Sequence, residues 1–174
     1  MRNKKIYKIC LTGLFAAIIA VFTAFVKMPT GINSGYLHFG DAVVYLSGCF
    51  LGPFGMISSA IGGALADILA GAAVWALPTA IIKALNCVPF ILAMKAYTKK
   101  TGKFKVVNTY TLIMTVVSGV ITTGCYYIAE GLMYSFPSAL ASIPFSIIQA
   151  VGSGIIFALL GKALDAAKAE RFMR

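Results

Sequence analysis

The chain has 174 residues, of which 60% are apolar and 11% charged, and its mean hydropathy is +0.90. A soluble domain carries ~45–50% apolar and ~25% charged residues, so too little polar surface remains to coat a soluble particle. A cytosolic enzyme, a secreted disulfide scaffold and a disordered chain are excluded, and residues 1–174 read as a single polytopic membrane domain. The net charge of +10 comes from 15 Lys and Arg residues. They gather mostly in three patches, Arg2 to Lys8, Lys95 to Lys105 and Lys162 to Arg174. These patches flank apolar spans, as cytoplasmic loops do, and none has the context of a nucleic-acid-binding motif. The expected surroundings are a lipid bilayer, and no nucleic acid is expected as a partner.

Ile9 to Val26 is charge-free over 18 residues, enough for a first spanning helix. The Lys-rich, apolar N-terminus has the look of a signal peptide. No small-residue cleavage site leads into a soluble domain, so the helix is expected to be retained. Met28 to Gly40 contains Pro29, Gly31, Asn33, Gly35 and Gly40 and reads as a mobile loop. Asp41 then stands where a helix cap belongs.

Asp41 to Gly71 is long for one span and short for two. Gly52-Pro53 with Gly55 breaks it. Charge parity sets the count. The basic N-terminus and the Lys95 to Lys105 loop share the cytoplasmic side only if an even number of crossings separates them. Two short helices of about 15 residues, ~22 Å each, with a turn at Gly52, satisfy this. Pro78 to Ala96, Val106 to Ala129 and Ser138 to Leu160 follow as further spans. The expected fold is an all-α integral membrane protein, a six-transmembrane-helix bundle with both termini cytoplasmic.

Ionisable groups inside a span are costly and mark candidate functional sites. Asp67 is expected roughly 18 Å from the Gly55 turn, and Lys83 roughly 8 Å in from the other side. The two therefore share a level in the outer half, either as a structural ion pair or as ligand-facing groups. His38 and Asp41 flank the second helix. Trp75 lies in an outer loop. Lys83 and Asn86 are three apart, Tyr126 and Glu130 four apart, and each pair shares a helix face. Ser146, Gln149 and Ser153 form a polar stripe. Trp75 and Tyr134 read equally as interfacial anchors, and His38 as a solvated loop residue. The one-sided clustering points to a pocket open to the outside and lidded by the first loop. Its aromatic groups and few polar ones suit a small heterocyclic ligand. The candidate ligand-binding residues are His38, Asp41, Asp67, Trp75, Lys83, Asn86, Tyr126, Glu130 and Gln149.

There is no GxxxxGK[ST] and no HExxH, so neither nucleotide hydrolysis nor zinc chemistry has a motif here, and an enzyme is not expected. Cys10, Cys49, Cys87 and Cys125 are far apart and read as small buried apolar residues. No metal site and no bound cofactor are expected. Gly62, Ala66 and Ala70 on helix three give a small-residue face suited to internal packing. Ala16, Ala20 and Ala24 on helix one give another, expected to dock a partner helix.

Together these residues resemble the substrate-binding S components of energy-coupling-factor (ECF) vitamin transporters, over nearly the whole chain. The resemblance rests on Leu14 to Ala20 with its AxxxA pattern, and on the ordered segments His38 to Leu46, Leu51 to Pro53, Gly62 to Asp67 and Pro78 to Lys83. The set GDAVVYL, LGPFG, GGALAD and PTAIIK is similar to the riboflavin and hydroxymethylpyrimidine branch. The resemblance implies a bacterial cytoplasmic-membrane subunit that captures a vitamin or precursor from outside. Such a subunit docks through the AxxxA face of helix one on a transmembrane coupling subunit served by two ATPase subunits, which use the ATP. The thiamine branch has several Trp residues and a deep His, whereas this chain has Trp75 and a loop His38. Short loops and few aromatics favour a single-ring pyrimidine or pyridine ligand, such as hydroxymethylpyrimidine or pyridoxine, over riboflavin. An autonomous small-solute transporter is the alternative from another class.

Overall fold

A computed structural model describes residues 4–33 and 36–172. Arg2 and Arg174 of the terminal basic patches, and Gly35 of the first loop, lie outside the described residues. Helix α1 spans Lys4–Phe25, ~33 Å at 1.5 Å per residue. The segment expected as a mobile loop instead forms an antiparallel hairpin of β1 (Lys27–Pro29) and β2 (Tyr36–His38), with Lys27 opposite His38 and Pro29 opposite Tyr36. Gly31 and Asn33 take positive φ in its turn, the conformation that these two residue types adopt at least cost.

Helix α2 (Asp41–Leu51) has 11 residues and α3 (Pro53–Leu69) has 17. The expected turn between them is present. Gly52 carries the positive φ that a side chain would resist, and Pro53 starts α3, where its missing N–H is not needed. A short 3-10 turn, Ala73–Trp75, leads into α4 (Ala76–Thr101), which ends on Gly102 in the left-handed conformation. Asn108 and Thr111 cap α5 (Thr109–Met133) reciprocally, each side chain bonding the other's backbone N–H at 3.1 and 3.0 Å. Ser135 caps α6 (Phe136–Ala166). The Asp165 carboxylate accepts the backbone N–H groups of Val106 and Val107 at 2.7 and 3.0 Å. It thereby ties the α4–α5 connection to the end of α6.

Among the described residues there are six α-helices, the number expected, but they are unequal. The segments 5–25, 73–101, 109–133 and 136–166 are long and apolar enough to cross a membrane, whereas α2 and α3 are apolar but shorter. Helix α2, ~16 Å long, is buried at every residue except Phe50 and packs against α1, α3, α4 and α6. At its middle Tyr45 stacks on Phe90 at 4.3 Å, and Phe157 meets both rings edge-on at 5.9 and 5.1 Å.

The small-residue faces divide differently from expectation. Gly62 and Ala66 are internal, as read, and so is the adjacent Gly63, whereas Ala70 is half-buried. A Cβ on Gly62 would lie 2.7 Å from the Ala16 carbonyl oxygen, and one on Gly63 would lie 2.9 Å from Cγ of Lys83. Helix α3 is thus pressed between α1 and α4. The same contact corrects the reading of α1. Ala16, Ala20 and Ala24 are buried within the chain, because α1 lies against α3 along this stripe. They are not a free docking face. The exposed small residues of α1 are Gly13 and Ala17. Of the cysteines, Cys49 and Cys87 are buried and Cys125 half-buried, but Cys10 is exposed.

Candidate functional site

The difference in length between α2 and α3 makes the site. Because α2 starts six residues, ~9 Å, short of the level at which α3 ends, the bundle is hollow above Asp41. The β hairpin dips into that space. The result is a cavity of about 70 Å3, room for several waters by the usual ~10–15 Å3 each. Its lining comes from the hairpin (Thr30, Tyr36, Leu37, His38), α3 (Asp67) and the start of α4 with the turn before it (Trp75, Thr79). Helix α5 adds Tyr126 and Glu130, and α6 adds Ser142, Phe145, Ser146 and Gln149.

Six of the nine candidate residues line this cavity: His38, Asp67, Trp75, Tyr126, Glu130 and Gln149. The other three, Asp41, Lys83 and Asn86, lie beneath it. Asp41 does not cap α2; Gly40 holds that position without a side-chain bond. The Asp41 carboxylate instead takes Lys83 Nζ at 2.5 Å on Oδ1 and Gln149 Nε2 at 2.9 Å on Oδ2. Of the two readings left open for Asp67 and Lys83, the direct ion pair is not formed; Lys83 pairs with Asp41 instead. The reason is the hairpin, which brings the Tyr36 hydroxyl onto Asp67 Oδ1. Both Asp41 and Lys83 are fully buried, a placement tolerated only with such mutual compensation. Lys83 Nζ also stands 5.5 Å from the Tyr126 ring centroid. Asn86 lies one turn further along α4 and donates to Thr122 Oγ1 at 2.7 Å. Ser153, the last of the polar stripe, is buried one turn beyond Gln149.

His38 is not a solvated loop residue. It is 4% exposed, its Nδ1 accepts the Gly40 N–H at 3.2 Å, and its own N–H donates to Gln149 Oε1 at 3.4 Å. Burial first, and the charge of Lys83 second, push its imidazole down to about 3, so it is neutral and its proton sits on Nε2. Burial and the Asp67 carboxylate raise the Tyr36 phenol above its ordinary value, so it remains a donor. Trp75 is a wall of the cavity rather than an anchor. Its ring packs 5.9 Å from Tyr126 and 6.1 Å from Tyr134, and its Nε1 donates to the Asn33 carbonyl at 3.3 Å. Asn33 also donates to Glu130 Oε2 at 3.2 Å and accepts from Ser138 Oγ at 2.8 Å. One hairpin residue thus ties the α3–α4 turn, α5 and α6 together.

Sequence reasoning missed Tyr36, Leu37, Thr30, Thr79, Ser142 and Phe145. Two of these had a signal. Thr79 precedes Lys83 by four residues, and Ser142 precedes Ser146 by four, so each extends a helix face already singled out. The hairpin residues had none, because three-residue strands among Gly and Pro carry no period.

A helical membrane bundle with a polar cavity between its helices, capped by a hairpin and floored by buried side chains, has the architecture expected of a ligand-binding membrane subunit. The sequence profile of the family described as "ECF-type riboflavin transporter, S component" matches residues 3–166. The chain belongs to this family, and is accordingly a membrane protein of a vitamin-uptake system. It is also similar to a Pyrococcus woesei protein described as "Uncharacterized protein in gap 3'region". The two are 31% identical over 147 residues, which cover 84% of this chain and 93% of that one.

Proposed function

We propose that the chain is the substrate-binding subunit of an ECF-type importer. It captures a small, single-ring vitamin or vitamin precursor of pyrimidine or pyridine type from outside the cell, and it delivers this ligand by docking on an ATP-driven coupling module. The observation that carries the reading is the closed floor of the cavity. Below the lining, the Asp41–Lys83–Gln149 cluster spans α2, α4 and α6, and beneath that the Tyr45–Phe90–Phe157 stack is fully buried. Such a floor suits a binder and opposes an autonomous channel, which needs a continuous polar path.

In this reading the chain hydrolyses nothing and holds no cofactor; partner ATPase subunits use the ATP. The hairpin end faces outward, α2 and α3 together make one excursion into the membrane and back, and both termini are cytoplasmic, with residues 1–174 one domain. The ligand contacts are His38, Asp67, Trp75, Tyr126, Glu130 and Gln149, supported from below by Asp41, Lys83 and Asn86. With the alanine stripe of α1 inside the bundle, the face left for the coupling subunit on that helix is the one bearing Gly13 and Ala17. Native mass spectrometry of the chain in detergent against a vitamin set tests the reading: a single retained one-ring vitamer supports it. The family's printed description favours a second reading, riboflavin, and retention of riboflavin alone would replace the first. Uptake by proteoliposomes containing this chain without partners or ATP would overturn both.

A further inference from the structure

Of the residues lining the cavity, two are acids, Asp67 and Glu130, and none is Lys or Arg. The two acids come from different walls, α3 and α5. Asp67 is 3% exposed, and its Oδ2 has no hydrogen-bond partner of good geometry among the described residues, although Tyr36 holds Oδ1 and the Thr79 hydroxyl, which meets Tyr126 Oη at 3.2 Å, stands near the carboxylate. A buried oxygen left without a donor is costly, and this one borders a cavity. Glu130 keeps one oxygen on Asn33. No cation answers these acids from within the lining. Lys83 Nζ is engaged by Asp41 below the cavity. Lys27 donates to the Ala70 carbonyl at 3.1 Å, stands 5.3 Å from the Tyr36 ring centroid, and is not part of the lining. His38 is neutral, with its Nδ1 occupied, so it offers only an N–H.

We propose that the site selects its ligand by charge: it accepts a neutral or cationic nitrogen heterocycle that donates an N–H or O–H to Asp67 Oδ2, and it excludes the phosphorylated or carboxylated form of the same ring. This rests on the S-component reading and names the ligand class for it. The physical reason is desolvation. An anion entering the cavity loses water and meets two carboxylates, while the nearest cations, Lys83 and Lys27, stand outside the lining and are already engaged by Asp41 and the Ala70 carbonyl. A donor entering the same space satisfies an oxygen the protein leaves unmet. A phosphate ester of the ligand must then be hydrolysed before capture.

The test uses the full chain in nanodiscs and isothermal titration with three matched pairs: pyridoxine and its 5′-phosphate, riboflavin and flavin mononucleotide, nicotinamide and nicotinate. The expected result is that an uncharged member binds and its anionic counterpart binds at least about tenfold more weakly. Asp67→Asn should weaken the uncharged member about tenfold and narrow the gap. Equal or tighter binding of the anionic member overturns the charge rule and leaves the S-component reading standing. So does a folded Asp67→Asn protein with both affinities unchanged. Failure of every member to bind a folded chain overturns the S-component reading for these rings, and the charge rule with it. The wild-type comparison needs no variant, so loss of folding in Asp67→Asn does not spare the proposal.

Discussion

Two adjacent levels of the same bundle use buried side chains in opposite ways. At the level of Asp41, Lys83 and Gln149, charge and amide groups from three helices are spent on each other. One turn further along α2, Tyr45, Phe90 and Phe157 fill the centre with stacked rings. The upper level fixes direction, because an ion pair has few good geometries. The lower level fixes volume, because close-packed rings leave no room. A cavity resting on both has a rigid floor, and of the described buried polar atoms left without a partner only Asp67 Oδ2 belongs to its lining; Tyr45 Oη and Asn86 Oδ1 are likewise unmet but lie in or beside the floor.

The largest break of this comparison is in the upper level. Lys83→Met leaves Asp41 buried and unpaired, and is expected to destabilise the chain by about 3–5 kcal/mol, read as a fall in the thermal unfolding midpoint in detergent. Adding Asp41→Leu should recover most of that loss, since replacing both partners removes the orphan charge. Recovery of ligand affinity in the double variant would show that the pair does not position Gln149. In the lower level, Phe90→Ala opens a cavity and should cost about 3–5 kcal/mol without a preference for uncharged over anionic ligands changing; a change would mean the two levels are coupled.

A smaller effect is expected at the α1–α3 contact. Gly62→Val places carbon against the Ala16 carbonyl and should destabilise by about 1–3 kcal/mol. Ala20→Trp should lower stability and ligand binding together, because the stripe is internal. Ala17→Trp should leave binding intact and reduce only coupled uptake. Equal behaviour of the two would remove the distinction drawn between the faces. The smallest expected effect is none at all: with the His38 imidazole held down to about 3, ligand affinity should show no titration step near pH 6.5. Between about pH 3 and 6.5 the unfolded chain binds the extra proton, so this residue's contribution to stability declines as pH falls through that window.

Much of this was legible in the residues, and unevenly. The helices α1, α4, α5 and α6 announce themselves by long charge-free runs, and Gly52-Pro53 by its chemistry. The number of helices therefore followed, but not the shortness of α2, since an apolar run does not say whether lipid or protein surrounds it. The ionisable and amide residues that line the cavity stood out by their rarity, whereas its hydroxyl residues Thr30, Tyr36, Thr79 and Ser142 did not. The pairing of the ionisable residues was not legible, because which acid meets Lys83 depends on where α2 begins relative to α4, and helical spacing is silent on offsets between helices. The alanine stripe failed for a related reason. Small residues mark close approach, and the spacing is the same whether the approaching helix belongs to this chain or another.

The three bonds of Asn33 have a kinetic consequence. Its carbonyl, amide nitrogen and amide oxygen hold Trp75, Glu130 and Ser138 in turn, so parting the hairpin from any one of these elements strains the other two. If the cavity takes a ligand as proposed, release at the mouth is expected to be a single concerted event that limits exchange in both directions. Asn33→Ala removes the two side-chain bonds at once. It should raise the association and dissociation rates by a similar factor, seen in stopped-flow fluorescence of Trp75, the sole tryptophan. The ratio of those rates should move far less than either.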